Sequence, residues 1–172
     1  MTAEQKKLDK VYQNCVSMLK DIGIPVGCVR LVKVNTRAKK TMGLCTYKYT
    51  NIDGKNVFDI SISYRLFEPN AEDGLYNTVI HELLHTCDGA FNHGRVWKTY
   101  ADRVYREYGI EIKRTSTEEE KGVTPLPPTP PKYICRCNKC GKEFTRQRMC
   151  DLVKHPWLYF HKTDGGCLER IK

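Results

Sequence analysis

Apolar positions along the first hundred residues change period several times, and each change marks an element. Leu8, Val11, Tyr12, Cys15, Leu19 and Ile22 recur at helical spacing, which predicts an amphipathic helix over 3–21 that stops at Gly23. Three strand-like runs follow, GCVRLVKVN, KTMGLCTYKYT and NVFDISISYRL. The second and third are joined by NIDGKN, whose Asp53-Gly54 is a hairpin signal. The helical period then returns. Asp73 is placed to cap a helix whose apolar face is Tyr76, Val79, Ile80, Leu83 and Leu84, and GRVWKTYADRVYREY over 94–108 predicts another helix ending at Gly109. One helix, three strands and two further helices make a small α+β domain. The strands are expected in an antiparallel-type sheet, with ISIS (60–63) as an edge open to an extended peptide.

The pattern breaks at TSTEEEKGVTPLPPTPP, residues 115–131, which carries a carboxylate run and then five of the eight prolines. Prolines at that density exclude helix and central strand and favour an extended spacer. The expected division is therefore a domain over 1–114, a Pro-rich linker over 115–131 and a small module over 132–172. With 172 residues, 40% of them hydrophobic, the chain can fill one core and an appendage, not two full cores.

Charge sharpens this division. The chain has 29 Lys and Arg against 20 Asp and Glu, a formal +9. Residues 132–172 hold ten Lys/Arg and four Asp/Glu, so most of the excess sits in the small module. Such an excess favours a polyanionic partner, nucleic acid first. No run reaches the ~18 apolar residues of a membrane span. The N-terminal MTAEQKKLDK lacks an apolar signal region, so a cytoplasmic chain with no membrane partner is expected. Nine cysteines in that compartment argue for metal ligation or burial rather than disulfides. Cys15, Cys28, Cys45 and Cys87 lie singly among apolar neighbours and are expected in the core, whereas five more crowd the last 40 residues.

Three of the five histidines fall within NTVIHELLHTCDGAFNHG, residues 77–94. His81 and His85 are four apart, so a helix projects both imidazoles from one face. Two imidazoles at that spacing can share one tetrahedral zinc, and Glu82 stands where a general base for an activated water is needed. Asp88-Gly89 breaks the helix, so the chain can turn back and offer His93 as a third ligand. Glu107 from the next helix is the alternative third ligand. The eight-residue gap between His85 and His93 is not the six of metzincins. Glu82 also counts against three-histidine endoribonucleases, which lack a glutamate after the first histidine.

HELLH followed by His93-Gly94 and Trp97, with a helix behind, resembles the SprT-like metalloprotease family, which includes bacterial SprT proteins and the Spartan proteases. The likeness extends over essentially the whole layout, basic tail included. It implies a zincin-like fold, peptide-bond hydrolysis with Glu82 as base, and, for Spartan-like members, action on proteins trapped on DNA. Trp97 is expected as a core aromatic beneath the second helix.

The tail contains Cys137-Asn-Lys-Cys140-Gly, a half-site for a second, structural zinc. Family members end in a second CxxC followed by Gly-Gly-Leu, where this chain has His161, Asp164 and then Gly-Gly-Cys167-Leu. The resemblance sets His161 and Asp164 against those two cysteines. The expected set is Cys137, Cys140, His161 and Cys167, with Cys135, Cys150 and His155 in reserve. A 40-residue module needs metal to fold. Arg136, Lys139, Lys142, Arg146 and Arg148, interleaved with aromatics, suit phosphate contacts and base stacking. Protein substrates and DNA are thus the expected partners, with two zinc ions per chain.

Overall fold

The computed structural model describes all of residues 1–172, which form two compact units, Met1–Pro125 and Leu126–Lys172. No helix is long and apolar enough to cross a membrane.

In the first unit, α1 (Ala3–Asp21) is capped by Thr2, whose hydroxyl accepts from the Gln5 amide at 3.2 Å. Its apolar stripe of Leu8, Val11, Cys15 and Leu19 is buried as the periodicity requires. The sheet comprises β1 (Cys28–Asn35), β2 (Gly43–Thr50) and β3 (Asn56–Ser63) in the order β1-β3-β2. β2 and β3 are the antiparallel hairpin expected of Asp53-Gly54, with Gly54 at φ +74° and the Asn51 side chain accepting from the Asp53 and Lys55 amides. β1, however, runs parallel to β3 on its other side. The sheet is mixed rather than antiparallel, and β3 is its centre. The ISIS run therefore has neighbours on both sides and cannot accept an added strand.

The two edges differ. On β1, the Gln5 side chain of α1 donates to Val32 O at 3.1 Å and accepts from Val34 N at 3.0 Å, covering part of the outer row. β2 is the other edge and has no strand beyond it.

A 3₁₀ turn (Tyr64–Phe67) leads to α2 (Glu72–Leu84), and a loop joins this to α3 (Arg95–Tyr108). α2 begins at Ala71 without a side-chain cap, so Asp73 lies inside the first turn instead of capping it. Its carboxylate still favours the positive helix end. α3 ends where expected, at Gly109, with φ +68°. Leu75, Val79, Ile80, Leu83 and Leu84 of α2 are fully buried with Ile60, Ile62 and the stripe of α1. Of the four cysteines expected in this core, Cys15, Cys45 and Cys87 are buried and Cys28 is exposed at the start of β1.

The boundary of this unit falls at 125, not 114. Residues 117–125 lie on it as a strap. Arg65, only 2% exposed, bonds Glu118, the carbonyl of Thr124 and, at 2.6 Å, that of Lys39. Glu68 accepts from the Thr124 amide at 2.8 Å, and Val123 is buried in the core. At Gly122, φ is +67° and any Cβ would collide with the Asn70 carbonyl, so the strap lies flush. Only the proline run remains of the expected linker. Charged residues disguised the strap as spacer, because the partners of Glu118 and Lys121, Arg65 and Thr78, lie far away in the sequence.

The second unit is a three-stranded antiparallel sheet, β5 (Glu143–Arg146), β4 (Tyr133–Cys137) and β6 (Leu168–Arg170), with one helical turn, α4 (Asp151–Lys154).

Candidate metal centres

The first centre is built at the C-terminal end of α2. His81 and Glu82 lie in its last turn, His85 is its cap residue, and the chain then turns through Gly89 at φ +72°. The helix thus ends four residues before Asp88-Gly89, with Thr86 folding its hydroxyl back onto Leu83 O at 2.7 Å. His93 returns just ahead of α3. The three Nε2 atoms stand 3.3 Å (His81–His85), 3.1 Å (His85–His93) and 3.0 Å (His81–His93) apart. A tetrahedral zinc with ~2.0 Å bonds to nitrogen asks for separations of about 3.3 Å. The donor set fits such an ion.

Tautomers support the same assignment. His81 Nδ1 meets the Lys113 carbonyl and His85 Nδ1 the Ala90 carbonyl, both at 3.1 Å. A carbonyl only accepts, so each Nδ1 carries the proton and each Nε2 keeps a free lone pair. Burial pushes His81 down to about 3, helped by the charges of His85 and His93, and lowers the other two histidines as well. Neutral imidazoles are what a cation requires. Trp97, almost fully buried, lies beneath with its ring centre 4.7–5.9 Å from all three histidine rings. Its Nε1 is the one buried side-chain polar atom without a partner. The expectation of a core aromatic at Trp97 is met.

Glu82 projects from the same helix turn and is buried, which pushes its carboxyl up to about 7. The Cys45 amide that hydrogen-bonds it and the Lys121 ammonium pull the other way. Two residues around it escaped sequence reasoning. Gly43, at the start of β2, leaves no room for a Cβ between Glu82 and Thr78. An isolated glycine in a strand was the available signal for such a close approach. Lys121, brought by the strap, donates to Thr78 Oγ1 at 2.8 Å and Asn77 Oδ1 at 3.3 Å, one turn before Glu82. Nothing local in the sequence marks it. Glu107, the alternative third ligand, lies apart from the histidines beside Arg103 and Asp21.

The second unit gathers Cys137, Cys140, His161 and Asp164, whose ligand atoms all lie within 4.8 Å of one another. Cys140 Sγ is 3.3 Å from His161 Nδ1, and Asp164 oxygens are 3.4 and 3.5 Å from Cys137 Sγ and 3.1 Å from His161 Nδ1. The Gly166 amide donates to Asp164 at 2.8 Å, and a Cβ at Gly166 would strike Cys137 Sγ. Hydrogen bonds from Cys140 and from this amide hold Asp164 well below the usual carboxylate range. Two thiols, an imidazole and a carboxylate are a donor set that zinc accepts.

Cys167 is the correction here. Its sulfur points to Trp157 O at 3.5 Å and takes no part in the cluster. With Gly165 at φ +65° in the turn, Asp164 supplies the fourth donor atom. The reserves also lie elsewhere: Cys135 is buried against Leu152 O, Cys150 precedes α4, and His155 faces Trp157. Of the cations, Arg136 is paired with Glu143 at 2.8 Å, Lys139 donates to Asp164 O and Lys142 lies over the Phe144 ring. Arg146 and Arg148 are exposed.

Against known families, the SprT-like family model matches residues 25–116, which span β1, β2, β3, α2, α3 and all three histidines. No curated protein matches the chain.

Proposed function

The chain belongs to the SprT-like family, and on that premise we propose that it is a zinc-dependent endopeptidase acting in the cytoplasm on proteins associated with DNA. One observation carries the enzymatic part: three neutral Nε2 atoms converge within 3.3 Å beside a buried carboxylate from the same helix turn.

His81, His85 and His93 would hold the ion. Zinc there supplies Lewis acidity, which lowers the pKa of water toward ~7 and polarises a carbonyl. The chain's own groups then move the proton. Glu82, buried on the same helix turn, would take it from the attacking water and hand it to the leaving amine. The Cys45 amide orients the carboxylate while this happens.

The DNA part rests on the second unit. Its net charge of +6, counted over 132–172, is joined by exposed Trp157 and Phe160. Cations draw in phosphates and exposed rings can stack on unpaired bases. Cys137, Cys140, His161 and Asp164 would hold a second zinc that folds the module.

Degradation of a DNA-bound protein, followed with and without DNA for wild type and Glu82→Gln, tests the reading. Wild type should cleave and the variant should lose at least about 10²-fold in rate. Equal behaviour of the two would overturn it and leave a non-catalytic nucleic-acid-binding zinc protein.

A further inference from the structure

β2 runs past the metal centre and presents Gly43, Cys45 and Tyr47 to the helical side of the sheet. Their register partners, Ile62, Ile60 and Phe58, are all buried there. Gly43 abuts Glu82, and the Cys45 amide bonds it. Tyr47 lies one further step along, about 7 Å from Cys45 at strand rise. There it joins an aromatic group. Its ring meets Phe58 edge-on at 6.1 Å, and Phe91 stacks on Phe58 at 5.9 Å.

Phe91 also reaches the metal centre, with its ring 6.4 Å from that of His85. It follows Ala90, whose carbonyl fixes His85, and precedes His93 by two residues. The loop that spaces the ligands therefore also fixes this ring.

Burial within the group is uneven. Phe58 is buried, whereas Tyr47 is 47% exposed and Phe91 55% exposed. Two large rings are left half in water at the rim of the candidate active centre. Covering Phe58 alone would not need them there, because an aliphatic side chain would do so with less apolar surface exposed. Arg30 and Lys48 pair with Asp59, next to Phe58 on β3 and so on the other face of the sheet.

We infer that Tyr47, Phe58 and Phe91 form the specificity subsite of the proposed peptidase and take a large apolar, preferably aromatic, substrate side chain beside the scissile bond. The inference rests on the peptidase reading above. An incoming ring would stack on Phe91 and meet Tyr47 edge-on, withdrawing both rings from water.

The test uses the zinc-loaded full chain and unstructured peptides that differ at one position, Phe, Leu, Ala or Asp. The Phe and Leu peptides should exceed Ala and Asp by about tenfold in kcat/KM. Phe91→Ala and Tyr47→Ala should each cut the Phe-to-Ala ratio about fivefold, and Phe91→Tyr should retain it. Binding of the same peptides to Glu82→Gln, read by fluorescence anisotropy, gives a second measure that needs no turnover. Cleavage without preference would overturn the subsite and leave the peptidase reading standing. No cleavage of any peptide would sink the peptidase reading, and equal Phe and Ala binding by Glu82→Gln would then sink the subsite too. Loss of single-stranded DNA binding in Phe91→Ala, with peptide preference intact, would reassign the rings to nucleobases and overturn the inference.

Discussion

Replacing Gly43 by alanine should disable the candidate active centre while every metal ligand and the proposed base keep their identity. A Cβ there would stand 2.7 Å from Thr78 Cγ2, 2.8 Å from Glu82 Cγ and closer still to Glu82 Oε1. Carbon contacts relax at about 3.5–4.0 Å, so something must move by roughly 1 Å. β2 is hydrogen-bonded to β3 through Gly43↔Ile62, and Thr78 sits within α2 and holds Lys121. The part free to yield is the Glu82 side chain, and yielding takes its carboxylate off the Cys45 amide. Overpacking of this kind destabilises by about 1–3 kcal/mol. A 1 Å misplacement of a reacting group lowers kcat by about 10²-fold. The assay compares Gly43→Ala with wild type in peptide cleavage, zinc content and thermal unfolding. The expected outcome is full zinc content, a modestly lowered Tm and a collapse of kcat with little change in KM. A variant with wild-type kcat would refute the reasoning, because Glu82 would then not depend on the space that Gly43 leaves.

Three further outcomes are expected. Burial raises Glu82 from 4.5 to about 7, so in metal-free protein its stabilising contribution is complete below 4.5 and lost as pH rises through 7. Glu82→Gln should therefore be more stable than wild type by up to about 3 kcal/mol at pH 8.5 and no different at pH 4, measured by urea unfolding in chelator. In the second unit, Asp164→Asn should speed zinc release to a chromogenic chelator while Cys167→Ser should not, and the reverse ranking would restore Cys167 as a ligand. Arg65→Met strips the strap of its anchor by removing the bonds to Glu118 and to the Thr124 and Lys39 carbonyls. It should lower stability by about 3 kcal/mol and open residues 115–125 to limited proteolysis.

The helices and the hairpin were legible because their signals are local: a stripe at helical spacing, a glycine stop at Gly109, and Asp53-Gly54 between two alternating runs. The three histidines were legible for the same reason, since all fall within thirteen residues. Strand direction was not. Alternation records which face of a strand is buried and says nothing of its neighbour's polarity. The link between Asn35 and Gly43 leaves β1 free to pass to the far side of β3. This put ISIS in the centre of the sheet instead of on its rim. Asp164 shows a related limit, because composition favoured the softer cysteine as ligand while the turn through Gly165 decided which side chain arrived. Lys121 and Arg65 act across separations of 43 and 53 residues, to Thr78 and Glu118, beyond the reach of any periodicity.

β2 has a consequence for how the molecule behaves in a crowded solution. An edge strand with unpaired amides and carbonyls is a template for another chain's edge. Here it also carries Leu44, Tyr47 and Tyr49, each about half exposed, along eight residues without proline. Its charge offers little protection, since Lys48 is the strand's only charged side chain and is drawn to Asp59 at 3.5 Å. β1, by contrast, is blunted by Gln5. Self-association should therefore begin at the strand that borders the metal centre. The concentration at which the protein stays monodisperse and its access to an extended chain are then set by the same eight residues.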